Sequence, residues 1–360
     1  MRHNIFDYAV LIYFMVRSLF FNIFFSKILS FSKQDTCISI ILGIIISIPI
    51  LLIYNKVKDN KIDSFTKNKS IFKYYKIANS LIIITTLMLA TYLFWNMTNF
   101  VSVHLLYDTP KIIIIIFFVI PIIYTLFKDI EALYRGKVIM FYISILMFTL
   151  SYIFLIPNIK LDNLMPIFYN SNILISTMFY VIYIVLPFYT LLLFPKNTIK
   201  NFTIKKIITY NILFEIVIFI VSFNVISIYG VNLSLFLNIP EYHLLKKISF
   251  AETLNRIDTI LSIQWLFDYF VTITFFIYYL LRGLITTFKV NYKISLIIII
   301  TIIVFITNIL NYNIINILFL YILPTFIVIS YFIIPLIALK KGHSPLYKIY
   351  NNKYASSNHE

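Results

Sequence analysis

The chain is a succession of apolar runs of about 20 residues, separated by short segments that carry nearly all of its charge. That pattern leaves few folds open. In hydrocarbon no water can satisfy a bare N–H or C=O, so only helices and closed barrels cross a bilayer. Runs of about 20 residues match a hydrocarbon core of about 30 Å as helices, whereas barrel strands need only about 10 residues of alternating polarity. The chain therefore reads as an all-α integral membrane protein embedded in the lipid bilayer. Hydrophobic residues make up 61% and charged residues 12% of it, against about 45–50% and 25% in soluble domains.

Ten spans are expected, at about residues 7–29, 36–54, 77–105, 112–127, 138–156, 173–194, 207–229, 257–281, 294–311 and 314–339. They form one transmembrane domain over 1–342, followed by a polar cytoplasmic tail, 343–360. With the N-terminus inside and the sides alternating, 22 Lys and Arg fall inside and 7 outside, with Arg17 within the membrane. The positive-inside rule gives that bias its sense, so both termini are placed in the cytoplasm. The same clustering between apolar runs accounts for the net charge of +16 without a nucleic-acid partner. Cys37 is the single cysteine, which excludes an intrachain disulfide and a cysteine metal cluster. The first run has no small-residue cleavage site behind it and reads as a retained helix. The segment from Gly230 to Arg256 reads as two short interfacial helices broken at Pro240.

An ionisable residue within a span is costly, which makes it a functional candidate. Arg17, in span 1, either pairs with a carboxylate, Asp268 of span 8 being the first choice, or grips a ligand carboxylate in a bidentate way. Ser18 and Asn22 share one face of span 1, and Asn96 and Asn99 one face of span 3. Each set could hold a polar ligand or bond neighbouring helices. Pro187 removes a backbone bond within span 6 and opens carbonyls there, with Tyr183 and Tyr189 flanking it. Trp265 lies three residues before Asp268, itself a candidate proton or cation site. Glu215 is a second lone carboxylate, read as bonded to a neighbouring helix. No phosphate loop, nucleophile elbow or zinc helix occurs, and the five histidines are scattered. No catalytic residue, metal site or cofactor is expected.

Several stretches, in order along most of the chain, resemble one family. Asp35-Thr-Cys-Ile-Ser opens span 2, and Leu105-Leu-Tyr-Asp-Thr-Pro110 follows span 3. Lys128-Asp-Ile-Glu-Ala-Leu-Tyr-Arg135 and Pro157-Asn-Ile-Lys-Leu-Asp-Asn-Leu-Met-Pro166 bracket span 5. Leu193-Phe-Pro195 ends span 6, and Glu252 to Trp265, with Arg256 and Asp258, leads into span 8. The chain thus resembles the B subunits of bacterial spore germinant receptors, in the amino acid–polyamine–organocation transporter superfamily. The resemblance implies a LeuT-like fold, five helices plus an inverted five, with spans 1 and 6 unwound. It also implies nutrient sensing at the spore inner membrane beside A and C subunits. The sequence departs from that family at Val16-Arg17-Ser18, where the family has a Gly at the unwound centre of span 1, and at Leu186, where it often has an acid.

The function expected is therefore to bind a small polar, amino acid-like nutrient between spans 1, 3, 6 and 8, through Arg17, Ser18, Asn22, Asn96, Asn99, Tyr183, Pro187, Trp265 and Asp268. Two alternatives stand beside it: a secondary amino acid or cation permease of the same fold, and a membrane enzyme of oligosaccharide assembly.

Overall fold

A computed structural model describes residues 3–21, 23–58, 63–71, 73–128, 130–169, 172–237, 239–248 and 257–342. Asn22, Asp129, Glu252, Arg256 and the tail 343–360 lie outside them. The described residues are almost wholly helical. In chain order the main helices are α1 (Ile5–Phe20), α2 (Ile23–Ser32), α3 (Thr36–Val57), α4 (Ser64–Ile71) and α5 (Tyr75–Phe100). Then follow α6 (Lys111–Phe127), α7 (Ile130–Leu155), α8 (Ile173–Tyr180), α9 (Ile204–Phe236), α10 (Pro240–Lys246), α11 (Ile257–Phe288) and α12 (Tyr292–Ile309). The last run comprises α13 (Tyr312–Ile317), α14 (Leu323–Ile327) and α15 (Ile334–Gly342), joined by wider π turns. Eight segments are long and apolar enough to cross a membrane, and α1 and α6 are shorter apolar helices, which gives eight to ten spanning candidates.

One exception to an all-helical chain ties its start in place. β1 (His3–Asn4) pairs in parallel with β2 (Ile199–Lys200), just beyond the sixth span. Asn4 then caps α1: its side chain accepts from the Ile5 N–H at 2.9 Å, while Asp7 accepts from the Asn4 N–H at 3.1 Å. This reciprocal box satisfies two of the donors that a helix start leaves open.

Burial sorts the helices. Every residue of α1 from Tyr8 to Phe20 is buried, as expected of a helix that is apolar all round and central. It packs against α11, α9 and α7, and α11 in turn against α5 and α7. The outer helices invert the logic of a soluble protein. On α6 the exposed stripe is Ile113, Ile116, Phe117 and Ile120, and on α12 it is Ile294, Ile297, Ile298 and Phe305. These apolar faces meet lipid, and the polar groups lie inward.

The two discontinuities decide the interior. The first run is broken between α1 and α2, where Phe21 is extended (φ −67°, ψ 156°) and its N–H reaches the Arg17 carbonyl at 3.2 Å. Unwinding at Val16-Arg17-Ser18 is not found: those residues are α-helical, and the break lies a turn later. Without a glycine at the matching place, the helix there keeps its bonds. In the sixth span, α8 passes into a π turn over Val181–Val185 and a 3₁₀ segment over Leu186–Leu193. Pro187, at the head of that segment, has no N–H to continue an α-helix. Elsewhere, α9 is kinked at Gly230 (φ 70°) and ends at Phe236, and a second short helix, α10, opens at Pro240.

Candidate functional site

Arg17 lies one turn before the α1–α2 break and is 1% exposed. Its Nε is 3.0 Å from Oδ2 of Asp268, on α11. Nη2 donates to Gln264 Oε1 at 2.9 Å and Nη1 to Ser144 Oγ at 3.1 Å, with a further bond to the Tyr13 hydroxyl. The guanidinium also lies over the rings of Tyr13, Phe21 and Phe148, at 5.0, 5.5 and 5.7 Å. Three helices thus converge on one cation: α1 supplies it, α11 its counter-charge and an amide, and α7 a hydroxyl. Tyr13 and Arg17, like Gln264 and Asp268, are spaced i, i+4, so each helix presents its pair on one face. A guanidinium has five donors in a fixed fork and so can bind partners on several sides at once.

Arg17 forms the floor of a small cavity. Phe148, Ser151 and Tyr152 of α7, Val221 and Asn224 of α9, Glu241 and Leu244 of α10, and Phe21, Gln264 and Trp265 line the rest. Its polar groups are therefore a guanidinium, a carboxyl group, two amides and two hydroxyls, and Asn224 Oδ1 has no hydrogen-bond partner among the described residues. On one side an aromatic group shuts the cavity. Trp265 packs on Phe21 at 5.0 Å and on Phe100 at 5.2 Å, and Tyr242 meets Phe100 at 5.4 Å and bonds Asp258 at 2.9 Å. Toward the opposite end, the Tyr54 hydroxyl donates toward the carbonyls of Leu186 (3.1 Å) and Tyr331 (2.6 Å), binding α3 to the sixth and last spans. Lys58 lies beyond it, buried, with Nζ 3.4 Å from the Tyr8 hydroxyl and 4.9 Å from the Phe202 ring.

The residues singled out in the sequence separate into groups. Arg17 and Trp265 line the cavity, and Asp268 sits behind Arg17. Ser18 faces α11 and donates to Thr272 Oγ1 at 2.9 Å. Tyr183 stacks on Phe319 at 4.3 Å, and its hydroxyl bonds the Phe319 carbonyl. Pro187, Asn96 and half-buried Asn99 also lie off the cavity, and Asn22 is outside the described residues. Gln264 was legible as the i−4 neighbour of Asp268, and Tyr13 as that of Arg17. Ser144, Asn224 and Glu241 carry no such signal, because only tertiary packing brings them to the cavity.

Comparison with known proteins places this geometry. The sequence model of the spore germination protein family matches residues 9–317. No curated protein sequence matches the chain. Among solved structures, a nucleobase–cation symport-1 family transporter, Mhp1, in a closed conformation with bromovinylhydantoin bound, superposes with a TM-score of 0.61 at 13% identity. The match covers 90% of this chain and 74% of that one. The fold is therefore that of the LeuT-type transporters. The chain belongs to the spore germination protein family and is an integral membrane protein.

Proposed function

We propose that this spore germination protein is a nutrient-sensing receptor subunit that keeps the fold of a transporter. The observation that carries the reading is the cavity beside the α1–α2 break. It presents Arg17, Gln264, Asn224, Glu241 and Ser151 together, and it lies where three helices meet on one ion pair. A ligand shifts a conformational equilibrium only by its preference for one state. A site shared between helices that move against one another supplies that preference. The mixed lining suits a small zwitterion: Glu241 and the Asn224 carbonyl oxygen face its ammonium group, and the Gln264 amide N–H groups face its carboxylate. Arg17, already holding Asp268, Gln264 and Ser144, sets the field of the site and the position of Gln264; the ligand carboxylate need not bind it directly.

In this reading the Lys58 end faces the cytoplasm, as the 22-to-7 charge bias requires, the membrane is the spore inner membrane, and A and C subunits receive the signal. Spores carrying Asn224→Leu should need more nutrient for the same germination response, with receptor abundance unchanged on immunoblots. A normal dose response in that variant, with response lost on deletion of the gene, would move the site elsewhere. The permease of the same fold is the second reading, favoured by the transporter fold itself. Uptake of labelled amino acid into vesicles holding this chain alone would establish it over the receptor.

A further inference from the structure

A second buried polar cluster lies away from the cavity, between α3, α9 and α8. Glu215 is the twelfth residue of α9, about 16 Å along the helix axis from its start, near the middle of a bilayer-spanning helix. It is fully buried, and no cationic side chain among the described residues forms an ion pair with it. An ionised carboxylate left so would bear the full desolvation cost with little return.

The hydrogen bonds around it can be counted proton by proton. Ser47 Oγ, on α3, lies 2.7 Å from the Ile44 carbonyl, 3.2 Å from Glu215 Oε2 and 3.0 Å from Asn211 Nδ2. A serine hydroxyl has one hydrogen and two lone pairs. The Ile44 carbonyl can only accept, and it has the shorter contact, so it takes the hydroxyl hydrogen. The Asn211 amide fills one lone pair. The contact between Ser47 and Glu215 is then a hydrogen bond only if the carboxyl supplies the proton, donating from Oε2 to Ser47 Oγ. That assignment leaves Glu215 Oε1 as the carbonyl oxygen of a neutral acid, and it has no partner among the described residues.

From these counts we infer that Glu215 is a proton-binding site: it carries a proton in this conformation, and the proton bonds α9 to α3. Binding forms one O–H bond on Oε2 at the expense of a hydronium ion, and release returns the proton to water. Release requires that α3 and α9 part far enough to admit water, so protonation and closure favour one another. The groups facing Glu215 are Asn211 one turn earlier on α9, Ser47 from α3 and the Tyr180 phenol from α8, which lies across Gly43. Other charged groups on elements packed against α9 are Asp7 and Arg17 on α1, Lys56 on α3 and Lys27 on α2, with Lys33, Asp35, Asp162, Glu241, His243 and Lys246 toward its far end. None of them pairs with Glu215.

Infrared difference spectroscopy on the purified full chain in lipid tests this. At neutral pH the parent minus Glu215→Gln spectrum should show the carbonyl band of a protonated carboxylic acid, shifted in heavy water. A spectrum with carboxylate bands alone overturns the proposal, and a carboxylate that forms only with sodium or potassium present does so in favour of a cation site. Thermal stability supplies the second arm, because glutamine keeps a neutral donor at this position. A neutral buried acid loses stability relative to its ionised unfolded form as pH rises from about 4.3. Parent stability should therefore fall relative to Glu215→Gln between about pH 5 and 7; parallel curves overturn the proposal. Should Glu215→Gln fail to fold, Ser47→Ala, which removes only the acceptor, should shift the acid band without abolishing it. An unshifted band refutes the bond.

Discussion

Removing Arg17 alone exposes how much of the interior depends on one pair. Arg17→Ala deletes the cation 3.0 Å from Asp268 and the donors to Gln264 and Ser144, yet leaves the carboxylate fully buried. Breaking a buried pair from one side costs about 3–5 kcal/mol, mostly the desolvation of the charge left behind. At about 2–4 °C per kcal/mol, that is a fall in melting temperature on the order of 10 °C. Asp268→Asn alone should cost less, because the stranded guanidinium keeps Gln264, Ser144 and the three rings. The double variant Arg17→Ala with Asp268→Asn strands no charge and should lose less than the two single losses summed, giving a coupling energy of at least about 2 kcal/mol in a double-mutant cycle. The assay is fluorescence-detected thermal unfolding in detergent, with yield as a second readout. Additive losses in the cycle would refute the argument, since they would mean that Arg17 and Asp268 are stabilised separately.

Three further outcomes are expected. Burial, with Lys196 adding repulsion, pushes Lys58 down to about 7; a lysine with pKa about 10.4 unfolded then binds more protons unfolded than folded between those values, so stability should rise with pH across that window and not in Lys58→Met. Gly43→Ala would set a Cβ 2.2 Å from the Tyr180 ring, an overpacking cost of about 1–3 kcal/mol that Tyr180→Ala should partly relieve in melting experiments. In a Cys37→Ser background, a single cysteine at exposed Tyr74 should react with impermeant reagent only from the cytoplasmic face and one at exposed Tyr107 only from the other; labelling of Tyr74 from outside would reverse the proposed orientation. Ser64, buried against Tyr279, would be a poor probe of either face.

Much of the architecture was legible in sequence because the bilayer leaves little choice. A run of about 20 apolar residues must satisfy its own backbone, which makes it a helix whatever its neighbours do. The intramembrane charges were legible for the same reason: Arg17, Asp268 and Glu215 stand out because each costs free energy unless something compensates for it. The capping box at Asn4 and Asp7 and the proline at 187 are equally local signals.

What compensates for those charges was a tertiary decision. Arg17 could have met a ligand or a carboxylate; the crossing of α1, α7 and α11 put Asp268, Gln264 and Ser144 around it. The same crossing fixed the break in the first run at Phe21, a place with no adjoining glycine or proline, because packing and not propensity ends α1 there. Tyr183 and Pro187 were rightly placed near a discontinuity, yet the π and 3₁₀ turns of the sixth span aim Tyr183 at Phe319 and away from the cavity. Asn224 and Glu241 reach that cavity only through the meeting of α9 and α10 with α11. Sequence determined which segments lie in the membrane and which residues need a partner there, since both follow from the solvent. Structure decided who the partners are, since residues more than 100 positions apart meet only when helices pack.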